Sequence, residues 1–332
     1  MHIRNLREPV SRLVRAPLLL FAAIYCTSGE LAVAQQVADP NFDPSVRSPA
    51  FVHEHPLVNI DEAHRNTHTA SGRYAPFAEL LKNDGYDVRP GTQNFSTETL
   101  KPLRVLIVSN ARGGTTKETA DRPAFTDQEC GAVLDWVRKG GSLLLIADHA
   151  PMGSAAANLA LRFGVTMGKG YVFDLHDSTG NDPTWLVFNR QNGLLGEHAI
   201  VRARGSADRV TQVVAFLGQS LSVPASATVL LKLGQTAYEA DTLDTMDAAL
   251  RALGDRRPID SMAGQRPVPD AAQAIALNVD RGRVVITGEA AMFSAQIVHT
   301  PNEPDVKAGM NLPGNDDKQF ALNVMRWLAH VL

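Results

Sequence analysis

A doubly wound α/β fold, with helices on both faces of a mainly parallel sheet, is predicted by three observations. Short β-branched apolar runs alternate with amphipathic segments of helical spacing. Two of the runs, Leu103–Ser109 and Ser142–Ala147, are nearly apolar throughout, as strands buried on both faces are. The helical segments end in turn signals, Asn83-Asp84-Gly85 and Gly140-Gly141.

In chain order, residues 1–34 read as a secretory signal. Arg4, Arg7, Arg12 and Arg15 precede the apolar stretch Ala16–Cys26, and Ala32-Val33-Ala34 has the small-x-small form of a cleavage site. The stretch is far shorter than the roughly 20 residues that span a bilayer, so no membrane span is expected after cleavage. Tyr25 is bulky where a small residue precedes a lipidated cysteine. The expected location is periplasmic or secreted. Cleavage removes four Arg and two Glu, which makes the formal charge of −3 more negative. It also removes Cys26, so Cys130 stands alone and no internal disulfide is expected. An oxidising compartment then requires Cys130 to be buried.

Residues 35–55 are a polar leader or surface strap, and residues 56–332 form the α/β domain. Leu57–Ile60 is the first strand. Tyr74, Phe77, Leu80 and Leu81 define a helix over 72–84, and Tyr86–Val88 is a second strand. Thr126-Asp127-Gln128-Glu129 is a capping box opening a helix whose apolar face carries Cys130, Val133, Leu134 and Val137. A helix over 155–163 follows the Ser142–Ala147 strand. The 170–270 region is less regular and reads as an elaboration with strands at 210–216 and 227–233. Ala272–Val279 and Arg283–Thr287 flank the turn Asp280-Arg281-Gly282, a hairpin. A last helix over 316–331 aligns Phe320, Val324, Trp327 and Leu328.

A hydrophobic content of 44% with 20% charged residues supplies an ordinary core, and the negative balance argues against a nucleic-acid partner. Polar residues collect just after the strands. Asp61, His64, Asn66 and His68 follow the first, and Asn110, Arg112, Gly113 and Gly114 follow the third. Asp148, His149 and Gly153 follow the fourth, and Glu289 follows the last. In a parallel sheet these loops share the carboxyl edge, where ligands bind. Asp61, His64, Asp148, His149 and Glu289 are the candidate catalytic groups. Asn66, Asn110, Arg112 and Gly153 are candidate substrate contacts. His64 and His68, four apart, with His149 and Asp148, are the candidate ligands of a divalent metal such as zinc. Each has a structural alternative: Asp61 and Glu289 as helix caps (the latter for a helix over 290–297), the histidines as packed side chains, and Asp148-His149 as a turn. Asp174, His176 and Asp177 form a further cluster. Gly218-Gln219-Ser220 lacks the second glycine of a nucleophile elbow.

The segments IDEAHRNTHTASGRYAPFAELLKNDGY, WVRKGGSLLLIADHAP, GEAAMF and GNDDKQFALNVMRWL, spread over roughly 55–331, resemble an exported bacterial family of the class I glutamine amidotransferase-like superfamily, in its trehalose-utilisation branch. That resemblance implies a flavodoxin-like fold. Members of the superfamily include Cys-His-Glu amidotransferases, peptidases and non-catalytic sugar- or protein-binding modules. The chain departs from the amidotransferases at the nucleophile: Cys130 sits inside a helix, where no sharp strand-to-helix turn presents it. Two functions remain. One is an exported hydrolase acting on a carbohydrate or related small polar substrate through the Asp/His cluster, metal-assisted or by acid–base chemistry. The other is a non-catalytic carbohydrate- or partner-binding module. Ten histidines and only 6% aromatics favour the enzyme.

Overall fold

The computed structural model describes residues 35–332, apart from 181, 255–256, 260–261 and 302–303. The signal segment and Cys26 lie outside the described residues. In the first half, β1 (Gln35–Ala38) precedes β2 (Leu57–Asp61), α1 (Ala75–Asn83), β3 (Asp87–Gly91), α2 (Thr97–Leu100) and β4 (Val105–Ser109). There follow α3 (Asp127–Arg138), β5 (Ser142–Ile146) and α4 (Met152–Leu161). The middle holds β6 (Tyr171–Asp174), β7 (Ser178–Thr179), β8 (Asp182–Asn189), α5 (Ala199–Arg202), β9 (Gln212–Phe216) and β10 (Ala227–Lys232). Then come β11 (Ala237–Ala240), α6 (Leu243–Gly254), β12 (Gln265–Pro267), β13 (Ala272–Val279) and β14 (Gly282–Thr287). The chain ends with β15 (Ala295–His299), β16 (Val306–Gly309) and α7 (Asp317–Leu328).

The chain is a mixed α/β protein around a seven-stranded sheet of order β10-β13-β14-β5-β4-β2-β3. Strands β14, β5, β4, β2 and β3 run parallel, and β13 and β10 add antiparallel pairings at one edge. Strand alternation decides which side chain meets which layer. Val105, Ile107, Leu144 and Ile146 join the core under α1 and α7, while Leu106, Val108, Leu143 and Leu145 join the one under α3 and α4. Both faces are therefore covered, which is why these strands read as continuous apolar runs. Thr126 and Glu129 form the capping box of α3. Cys130 is free and buried in that helix, and burial pushes its thiol pKa up to about 11.

Two features differ from expectation, and of the two forms expected for residues 35–55 the strap is the one found. No helix spans 290–297: a short 3₁₀ turn at Ala291–Phe293 leads into β15. The 170–270 region is not merely peripheral, because its β10 pairs with β13 in the main sheet. Its other strands form two antiparallel three-stranded sheets, β12-β11-β6 and β7-β8-β9. The leader is a fixed strap. Its β1 pairs with β15, and Arg326 grips both Asp84 and the Ser48 carbonyl. No helix among the described residues is long and apolar enough to cross a membrane.

Candidate functional site

The loops after β2, β4, β5 and β14 meet at the carboxyl edge, and Asn110 ties three of them together. Its backbone is left-handed, at φ 48°, which asparagine tolerates better than most residues. That turn aims the amide both ways. Oδ1 accepts the Asp148 backbone N–H at 2.9 Å, and Nδ2 donates to His68 Nδ1 at 3.1 Å. Its carbonyl accepts the Thr67 N–H. Asn66 adds a stitch by accepting the His64 N–H and donating to the Ser109 carbonyl.

Beneath this edge lies a closed polar cluster. His64 is 4% exposed and uses both ring nitrogens. Nδ1 lies 2.9 Å from Asp61 Oδ2, and Nε2 lies 2.9 Å from Glu129 Oε1. Phe95 and Phe125 flank the ring, with centroids 4.5 and 4.7 Å away. Two carboxylates facing two nitrogens call for an imidazolium, since each nitrogen then donates. Burial opposes that charge, but hydrogen bonds and charge from Asp61 and Glu129 outweigh it and raise the pKa. Glu129 is further held by the N–H and hydroxyl of Thr126, so the capping residue is also the partner of His64.

His68 is different. It is buried against Tyr74, and burial, aided by the nearby Arg73, pushes its pKa down to about 3, so it stays neutral. It then accepts from Asn110 through Nδ1.

The accessible part of the edge is built around Asp148 and His149, which are partly exposed. His149 Nδ1 donates to the Ala150 carbonyl at 2.8 Å, which fixes the ring orientation. Its ring stacks on Tyr171 at 4.8 Å. Gln219, fully buried, holds this loop by donating to the carbonyls of Ala147 and Asp148 at 2.8 and 2.9 Å. Gly153, in the first turn of α4, lets Gln219 approach: a Cβ there would sit 2.1 Å from Gln219 Oε1. Arg73 lies near Asp148; burial lowers its pKa and the Asp148 charge opposes the shift. The Arg112 backbone N–H donates to the His64 carbonyl, while its buried Nε has no hydrogen-bond partner among the described residues.

Glu289 is fully buried and accepts the N–H groups of Ala291 and Met292, so it caps the 3₁₀ turn. Burial, followed by the Asp148 charge, raises its pKa well above the ordinary value. Tyr74 donates its hydroxyl to the adjoining Ala290 carbonyl at 2.9 Å.

The structure thus splits the predicted site. Asp61 and His64 belong to the buried cluster, Asp148 and His149 to the accessible edge, and Asn110 with His68 bridges the two layers. The expected metal set does not converge. Both nitrogens of His64 are committed to carboxylates, His68 Nδ1 is committed to Asn110, and His149 Nδ1 to a carbonyl. Among the described residues no group of three or more His, Cys, Asp or Glu is placed to hold a metal ion. Asp174 is occupied in its own turn, accepting the N–H groups of His176 and Asp177 and the Thr236 hydroxyl. Ser220 is buried and donates its hydroxyl to the buried Glu239. Sequence reasoning missed Arg73, Tyr74, Gln219 and the second role of Glu129. Glu129 had a visible signal, a carboxylate on a capping turn; the others were ordinary residues within a helix start or a loop.

No known protein family matches the chain, and no curated protein matches it in sequence. Among solved structures, the mmIFT52 N-terminal domain superimposes with a TM-score of 0.53 at 14% identity, covering 82% of this chain and 96% of that one. That likeness is one of fold alone. A ThuA-like protein from Bacteroides uniformis matches at TM-score 0.41 and 12% identity, over 87% of this chain and 95% of its own. A GMP synthase-like protein from Thermoplasma acidophilum matches at TM-score 0.40 and 11% identity, over 84% of this chain and 96% of its own.

Proposed function

We propose that the protein is an exported binding module of the class I glutamine amidotransferase-like group, taking a carbohydrate or related small polar ligand at the carboxyl edge. The flavodoxin-like reading is supported by the parallel strands, whose order β3-β2-β4-β5-β14 is 2-1-3-4-5 in sequence. The order reverses between β2 and β4, and the Asn110 hub lies at that crevice.

One observation carries the choice of binding over catalysis. Three of the five expected catalytic groups, Asp61, His64 and Glu289, are buried and bonded within the protein. What remains toward solvent is a recognition set: Arg73, Arg112, Asp148 and His149. Guanidinium groups suit a ligand carboxylate and Asp148 suits hydroxyl donors. The Asp148 loop is pre-ordered by Asn110 and Gln219, which limits the entropy lost on binding.

A hydrolytic reading keeps one specific support. His149 is oriented by its Nδ1 bond to the Ala150 carbonyl, as a general base is positioned. Among the described residues its ring nitrogen bonds a backbone carbonyl and no side-chain carboxylate.

The test is calorimetric titration of the chain from Gln35 onward with neutral and acidic mono- and disaccharides, beside a reducing-end release assay. Saturable binding without turnover, lost in Arg73→Ala and His149→Ala, is the expected result. Turnover abolished by His149→Ala would favour the hydrolase instead. No binding across the panel would overturn the module.

A further inference from the structure

A cavity of about 730 Å³ opens on the opposite side of the sheet, at the amino-terminal ends of β2, β4 and β5. Its volume falls within the roughly 300–1,000 Å³ of small-molecule sites. Three chain entries build it: Pro56-Leu57 leading into β2, Pro102-Leu103-Arg104 leading into β4, and Gly140-Gly141 leading into β5. Trp136 of α3 packs on that last turn so closely that a Cβ on Gly141 would lie 2.1 Å from the indole. The glycine therefore lets the indole pack on the entry to β5, and Leu57, Leu103 and Trp136 supply the apolar part of the lining.

The charged lining is three cations against two acids. Lys101, Arg104 and Lys139 line the cavity and are exposed, and none is in an ion pair among the described residues. Glu54 and Asp135 are the acids of the lining. The excess is positive, in a chain whose overall charge is negative. An apolar part and a cationic excess are the two halves of a site for an amphipathic anion. An apolar body would be desolvated against Leu57, Leu103 and Trp136, and an acid group would draw on the cationic excess of the lining.

We propose that this cavity is a second ligand site, taking a small organic anion with an apolar body. It is independent of the carboxyl-edge site, from which the length of the strands separates it.

The probe is 8-anilinonaphthalene-1-sulfonate, titrated by fluorescence against the folded chain. Saturable binding of one equivalent is expected. Lys101→Ala and Lys139→Ala each weaken it about tenfold, the size of a lost charge-assisted contact. Ala132→Trp fills the cavity and abolishes binding. All three variants keep the wild-type thermal midpoint, which separates the result from binding to a loosened fold. The uncharged analogue N-phenyl-1-naphthylamine binds at least about tenfold more weakly. Arg73→Ala and His149→Ala leave the titration unchanged, so this site stands or falls apart from the carboxyl edge. Non-saturable binding, indifference to the lysine variants, or equal binding of the uncharged analogue would overturn the proposal.

Discussion

His64 Nε2 donates to Glu129 Oε1 at 2.9 Å, joining the loop after β2 to the first turn of α3 across 65 residues of sequence. With Asp61 on the other nitrogen, the imidazolium neutralises charge in a site that Phe95 and Phe125 close. Removing it leaves two buried carboxylates without a counter-charge. His64→Ala is expected to destabilise the fold by about 3–5 kcal/mol, the scale for breaking a buried ion pair. Urea unfolding measures it. A loss below about 1 kcal/mol, as for a surface pair, would show that the cluster is not charged.

The same residue sets a pH dependence. Its folded pKa lies above the ordinary 6.5, so the proton is held more tightly in the native state. The stabilisation is complete below about pH 6.5 and is lost as pH rises through the raised value. Unfolding free energy is therefore expected to fall on the alkaline side of neutrality. His64→Gln should flatten that slope, read from denaturant midpoints across the range.

His68 acts in the opposite direction. Its native pKa of about 3 lies below the ordinary value, so the unfolded chain takes up the proton first. Its stabilisation is present above about pH 6.5 and is lost as pH falls from there toward 3. His68→Gln should reduce acid sensitivity over that window. A variant as acid-sensitive as the wild type would place the titration elsewhere.

Asn110 combines a left-handed backbone with two side-chain bonds that link loops. Asn110→Gly loses the bonds but not the backbone freedom, and Asn110→Ala loses both. The glycine variant is expected to cost about 1–3 kcal/mol for the lost bridges. The alanine variant adds roughly 1 kcal/mol of strain. Equal losses would show that the φ value carries no penalty.

Gly153 and Gln219 form a testable couple. Gly153→Ala forces the Gln219 amide off the carbonyls of Ala147 and Asp148, at an expected loss of about 1–3 kcal/mol. In the double variant Gly153→Ala/Gln219→Ala the clash has no target, so the two losses should be less than additive. Full additivity would show that the residues do not meet.

Much of this molecule is determined locally and was legible in the chain. Buried parallel strands declare themselves because both faces are apolar, and the Thr126–Glu129 box because capping is a contact within one turn. The hairpin around Asp280, whose φ is 51°, was equally local. Collection of Asp and His at strand ends followed from parallel topology alone. Only the tertiary structure decided which of those groups face one another. His64 meets Glu129, Asn110 meets Asp148, and Gln219 reaches Ala147 through contacts spanning tens of residues, and no periodicity encodes the direction of a loop side chain. It also decided charge. His64 and His68 are the same residue four positions apart, yet one is held protonated by two carboxylates and the other neutral by burial, because each pKa depends on what the fold packs around the ring.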